Sequence, residues 1–199
     1  VLDYLQHDFA TLAATEMGRE TLSFVPEEVD GPDGKKASSV WIMMLCRPAS
    51  SSGQGAVRAV SYRLAYLDPM TPRGSDSRWA LYRTEVRPDP DADKNGFLSA
   101  EDPHEDYWKE KWQGYLSEDG GRAILDDYLL ENIVGLKVTL LYRYRDASEV
   151  WRLESVTPTS EVRWTSDGFT GNDIPSSEIP NSPVSITLTL QILNDGGLL

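Results

Sequence analysis

Apolar residues recur along this chain first at helical spacing and then at strand spacing. Over residues 1–18, Leu2, Leu5, Phe9, Leu12, Ala13 and Met17 fall at steps of three and four and share one face. That predicts an amphipathic helix with Gly18 as its stop. Asp3, His7, Asp8, Thr11 and Glu16 fall mostly off the apolar face. Beyond residue 18 the pattern turns to β. Thr21–Val25 reads as a short strand, Gly31–Gly34 as a turn, and Val40–Cys46 as a central strand buried on both faces. Ala56–Leu67 and Trp79–Val86 both alternate, which predicts a hairpin with a long loop over Asp68–Ser77. Glu105–Leu116 looks helical, and Ala123–Leu130 adds a helical turn or two. Ile133–Tyr144 and Val150–Val156 form a second predicted hairpin, Thr157–Asn181 a long loop, and Val184–Leu193 a final alternating strand. In that last strand Val184, Ile186, Leu188, Leu190 and Ile192 are expected inside.

The expected fold class is α+β, with an N-terminal amphipathic helix packed on antiparallel β-sheet. A chain of 199 residues fits a single domain. Residues 1–18 would be the remainder of the helix and residues 19–199 the β-rich body. The pattern opens at Val1 as if a helix were entered midway, so the expectation is a processed chain whose helix continues upstream.

Charge narrows the partners. Lysine and arginine number 19 against 32 carboxylates, a formal net charge of −13. Like charge repels phosphate backbones and anionic lipid, which argues against a nucleic-acid partner and against a bare membrane surface. The one cysteine, Cys46, excludes an internal disulfide framework and a cysteine-based zinc site. It ends an apolar run and reads as a buried, inert thiol. His7 reads as a surface residue and His104 stands at no ligand position. No phosphate-cradling glycine loop, nucleophile elbow or zinc-protease motif is present. No nucleophile–base pair can be named, so no enzyme is expected. A hydrolase built only from carboxylates stands as a third class behind the two set out below.

The segment with the most specific chemistry is Asp91–Asp102, DADKNGFLSAED. Calcium takes six to eight oxygen ligands, and an EF-hand-type loop supplies them at fixed steps around one tight turn. Asp91, Asp93 and Asn95 stand at the first, third and fifth positions, and Gly96 stands at the turn. Phe97 would offer its carbonyl, Ser99 would ligate directly or through water, and Asp102 takes the twelfth position. Glu101 replaces Asp102 if the register slips. The alternative is a solvated acidic loop. A calcium ion here would be structural, because Pro88 and the preceding strand leave no entering helix. Tyr107, Trp108, Trp112 and Tyr115 form an aromatic stripe, read as a helix face packed on the sheet rather than a sugar platform. Tyr142–Arg145 (YRYR) is a basic-aromatic patch that alternation explains as strand surface.

Four stretches carry a family resemblance. They are Leu5–Leu12, then Val60–Leu64 with Trp79–Arg83, then Leu130–Val138 leading to Tyr142 and Trp151, and Ile179–Leu188. In that order they resemble type IV pilin-like proteins, nearest to the minor pseudopilins of the J type in type II secretion. The resemblance implies a pilin-like fold and a non-catalytic structural subunit of a pilus-like or pseudopilus filament, at its tip or initiating it. Partners would be other pilin-like subunits met through the N-terminal helix, with secreted cargo or a surface receptor beyond them. The setting would be the bacterial cell envelope, periplasm or cell surface. A membrane anchor would come only from a segment upstream of Val1. The calcium loop is not a hallmark of the J type. The alternative reading is a calcium-stabilised adhesin or binding module on the same scaffold.

Overall fold

The structure, a computed structural model, describes residues 2–12, 21–47, 58–68, 76–86, 128–165, 168–174 and 182–193, and among these lie ten strands, one short α-helix and a 3-10 turn at Pro32–Gly34. The first hairpin joins β1 (Leu22–Asp30) to β2 (Lys36–Cys46), from Leu22 opposite Met44 to Asp30 opposite Lys36. Its turn needs left-handed backbone at Asp33 (φ 56°) and Gly34 (φ 72°). Asp and Gly are the residues that accept that region at low cost, which is why GPDG folds back here. β3 (Arg58–Leu67) pairs β2 on one side and β4 (Arg78–Val86) on the other. The alternation over both segments is that of a hairpin, as the sequence predicts.

After β4 the described chain resumes at β5 (Tyr128–Glu131), which pairs β4. Asn132 then adopts φ 61°, and the chain enters β6 (Ile133–Arg145) in a different sheet. The Asn132 N–H donates to the Trp79 carbonyl at 2.8 Å, and its own carbonyl accepts from Leu193 N–H at 2.7 Å. This one residue therefore pins a corner where the strand changes sheets, a role suited to Asn in the left-handed region. β7 (Trp151–Val156) pairs one edge of β6 and β10 (Ser182–Ile192) pairs the other. β8 (Val162–Thr165) and β9 (Gly168–Gly171) form a small hairpin that extends the first sheet beyond β1. The result is a seven-stranded sheet in the order β5-β4-β3-β2-β1-β8-β9 and a three-stranded sheet in the order β10-β6-β7, with every pairing antiparallel.

β6 crosses over β2, β3 and β4, so the small sheet covers part of one face of the large one. Between them Phe24, Ile42, Met44, Tyr62 and Leu64 of the large sheet meet Ile133, Val138, Leu140 and Tyr142 of the small one. Each such side chain, taken fully from water, contributes about 1.5–3 kcal/mol. The other face of β2 is buried as well, at Trp41, Met43 and Leu45. On that face the Arg63 guanidinium stacks 4.3 Å above the Trp41 ring and holds Glu27 at 2.7 Å. β2 is thus the doubly buried central strand that its unbroken apolar run predicts.

Three expectations are corrected. The α+β, pilin-like class, with a helix packed on antiparallel β-sheet as in pilins, gives way to a β-rich fold of two antiparallel sheets with one short helix. That helix, α1, covers only Leu2–Ala10, about two and a half turns. It stops because Thr11 turns its hydroxyl back onto the carbonyls of His7 (2.9 Å) and Asp8 (3.2 Å). Its own carbonyl goes to Arg47 N–H (2.7 Å), while Leu12 forms a β-bridge with Cys46. A β-branched residue bonding backwards competes with helix continuation, and the C-terminal end of β2 offers the alternative. Second, Tyr128–Leu130 is strand, because the free edge of β4 takes it up. Third, Thr157–Asn181 is not one loop, since β8 and β9 lie within it. Among the described residues, no helix is long and apolar enough to cross a membrane.

The loop from Pro158 into β8 is held by one carboxylate. Asp173 accepts from Thr159 N–H (2.7 Å), Thr159 Oγ1 (2.8 Å), Ser160 N–H (2.8 Å) and Ser160 Oγ (3.0 Å). The backbone N–H groups of Ser160 and Thr159 chiefly pull its carboxyl down to about 2. A depressed folded-state pKa stabilises the fold above the unfolded carboxylate value of about 4. That contribution is lost as the pH falls towards 2. Asp173→Asn should therefore lower the melting temperature at pH 7 and flatten its pH dependence between about 4 and 2. Melting curves of the two proteins across that range check this, and parallel curves would show that Asp173 does not hold the loop.

Candidate functional site

α1 places two kinds of group beneath it. Leu5 is buried, and Phe9 and Leu12 lie half-buried against the core. Between them in the helix, Asp8 is 0% exposed. A carboxylate without water must find partners or lose its charge. Asp8 finds them on β3 and β4. Arg83 grips it in bidentate fashion, with Nε to Oδ2 at 2.7 Å and Nη2 to Oδ1 at 3.0 Å. The Tyr62 hydroxyl donates to Oδ2 at 2.5 Å. Arg58 Nη2 stands 3.7 Å from Oδ1. Glu85 closes the cluster by pairing Arg58 (3.1 Å) and Arg83 (3.3 Å). Two carboxylates therefore face two guanidiniums, and the cluster is neutral.

The electrostatics follow from burial and from Asp8. Burial, then the hydrogen bond and charge of Asp8, push the Tyr62 hydroxyl far above its usual value. For Arg83 burial opposes the charge, yet the hydrogen bond and field of Asp8 outweigh it and raise the guanidinium further. Cys46 sits beside the cluster, buried, with its Sγ 3.4 Å from the Asp8 carbonyl. Burial and then the Asp8 charge push its thiol up to about 12, so it stays a thiol at neutral pH and is a poor nucleophile. The cluster ties α1 to the sheet through Arg83 and Tyr62, while Arg58 Nε and Nη2 are buried without a hydrogen bond among the described residues and Arg58 reaches Asp8 by charge alone.

The surface next to α1 has a different character. Leu5, Gln6 and Phe9 form one wall of a groove of about 260 Å³, and Ile186 and Leu188 of β10 form the other. β10 is an outer strand of the small sheet, eleven residues long (SPVSITLTLQI), and it carries no charged residue. Of its five residues expected inside, Ile186, Leu188 and Leu190 are only half-buried, while Val184 is 53% and Ile192 65% exposed.

The sequence-predicted sites fare differently. Asp91, Asp93, Asn95, Phe97, Ser99 and Asp102 lie outside the described residues, as do His104 and the aromatic stripe from Tyr107 to Tyr115. Among the described residues, no cluster of three or more His, Cys, Asp or Glu could hold a metal ion. His7 is exposed on α1. Asp8, assigned from the sequence to the polar side of the helix, is the centre of the buried cluster. The signal for it was present: position 8 is three beyond Leu5 and four before Leu12, squarely in the apolar stripe. No family model, curated protein or solved structure matches the chain.

Proposed function

We propose that this chain is a non-catalytic assembly subunit that accepts an extended segment of another protein along β10. The observation that carries the reading is the edge itself. A long outer strand without a charge has, among the described residues, no strand paired to its outer edge, and natural sheets ordinarily blunt such an edge with charge or cover it. An added strand would pair with that edge and lay alternate apolar side chains into the groove of Leu5, Phe9, Ile186 and Leu188. The four motif resemblances to J-type pseudopilins supply the proposed setting, a filament of the bacterial cell envelope.

The single native cysteine is buried, so a cysteine introduced at the exposed Thr187 is the reactive one. Thr187→Cys, labelled with a maleimide–benzophenone and irradiated in an envelope extract of the cell of origin, should give one adduct, because the photoactivated ketone inserts into any neighbouring C–H bond. Mass spectrometry should resolve it to one strand-forming segment of one envelope protein, and adding Leu188→Lys should abolish it. No adduct, or turnover of a small-molecule substrate by the purified chain, would sink the proposal.

We also propose that Asp91, Asp93, Asn95, Phe97, Ser99 and Asp102 bind calcium as a structural ion, on the support of their spacing alone. A ligand present at about a hundred times its dissociation constant stabilises the native state by roughly 2.7 kcal/mol. That amounts to roughly 5–10 °C in melting temperature for a chain of this size. Melting in calcium against a chelator tests it, and equal midpoints would count against the site.

A further inference from the structure

The outward face of the three-stranded sheet carries an inverted charge. Its registers place Lys137, Arg143 and Arg145 of β6 on that face, together with Trp151 and Leu153 of β7. The outward residues of β10 are Ser185, Thr187, Thr189 and Gln191. No carboxylate stands among the outward positions of these strands, in a chain whose net charge is −13. Random placement in so acidic a chain would put carboxylates here too, so this is a local reversal of sign.

The apolar component is equally out of place. Trp151 is 47% and Leu153 65% exposed. Arg143 stacks 4.6 Å from the Trp151 ring and Arg145 lies 5.7 Å from it. A guanidinium resting on an indole loses side-chain freedom and keeps N–H donors for a planar acceptor. Among the described residues, no carboxylate of the adjoining turn pairs with Arg143. Asp146 is occupied by Arg152 at 2.9 Å and by the turn's own backbone, and Glu149 offers its carbonyl to Arg145.

We propose that this face docks an acidic segment of a protein partner, with a carboxylate on Arg143 and a second towards Lys137, and an apolar side chain on Trp151 and Leu153. Carboxylate is the anion whose fork matches Arg143, and arginine and tryptophan beside exposed leucine are the composition of an interface centre. A nucleic acid fits less well. Three cations neutralise few phosphates, and the remaining −16 of the chain opposes a polyanion. The face lies on the opposite side of the sheet from the α1–β10 groove and does not depend on it.

The probe is the peptide acetyl-Glu-Leu-Glu-Leu-Glu-amide, titrated into the whole chain by calorimetry at physiological salt. Its Gln-Leu-Gln-Leu-Gln counterpart and a short oligothymidylate are titrated alongside. The expected result is saturable binding of the acidic peptide, at least tenfold weaker for the glutamine peptide and for Arg143→Glu/Lys137→Glu. Arg143→Gln serves as a milder variant if the double reversal fails to fold, and melting temperatures confirm the fold of each. Absence of binding, equal binding by the variants, or tighter binding of the oligonucleotide would each overturn the proposal. Loss of the Thr187 adduct with this binding intact would strike only the β10 reading.

Discussion

Asp8→Ala is expected to cost about 3–5 kcal/mol, the penalty for removing one partner of a buried charge cluster. For a chain of this size that is a fall of roughly 10 °C in melting temperature. Asp8 is fully buried, whereas Arg83, Arg58 and Glu85 keep side-chain exposures of 14%, 15% and 20%. The loss therefore falls on groups that water reaches only in part. Without Asp8, Arg83 keeps Glu85 as its carboxylate partner, two guanidiniums face one carboxylate, and the Tyr62 hydroxyl loses the Asp8 acceptor. Asp8→Asn should do little better, because its amide turns donors towards donors that already lack an acceptor.

The cluster predicts its own rescue. Replacing Asp8, Arg83 and Tyr62 together by Leu, Met and Phe removes the paired charges and the orphaned hydroxyl at once. Arg58 and Glu85 keep each other at 3.1 Å. Buried ion pairs exchanged whole for apolar groups are often neutral in stability. The triple variant should therefore recover most of what Asp8→Ala loses, and chemical denaturation of the four proteins measures both. An Asp8→Ala protein melting within about 2 °C of the parent would mean that water reaches this carboxylate and that α1 is not docked through it.

Local pattern was enough for the parts of the fold that are local. β3 with β4 and β6 with β7 are hairpins whose alternation is written in consecutive residues, and β2 is an apolar run with no polar interruption. The parts that failed depend on distant partners. The stripe of Leu5, Phe9, Leu12 and Met17 continues past Ala10 in sequence, but Thr11 and Leu12 are claimed by Arg47 and Cys46. β5 is four residues of mixed propensity, and its state is set by the free edge of β4. Asn132 decides that the strand changes sheets, yet a single Asn in a strand-like run announces only a break. The buried cluster joins residues 54 and 75 positions apart, a separation no spacing rule spans. Only Asp8 itself, lodged in an apolar stripe, was open to notice. The calcium loop is the reverse case, legible as chemistry from spacing and outside the described residues.

Phe169→Ala is expected to cost about 3–5 kcal/mol, the usual price of a large buried aromatic. The reason is the position of the β8–β9 hairpin, which the sequence pattern treats as loop. Phe169 is 3% exposed and stands edge-on to Tyr142 of the small sheet at 6.3 Å, with Trp164 of β8 at 6.2 Å. It is therefore one of the contacts by which the outer edge of the large sheet meets the small one. Such aromatic pairs add about 0.5–1.5 kcal/mol beyond burial, so the effect belongs in the upper part of that range. A Phe in a solvated polar loop would lose no more than about 0.5 kcal/mol on the same change. Trp151→Ala supplies that comparison within the same protein, because Trp151 is a larger ring on the exposed face. If the two substitutions cost the same, the hairpin does not lie against the second sheet. If Phe169 costs several times more, a segment rich in Gly, Pro and Ser is part of the core, with Phe169 buried there beside Val162 and Ile174.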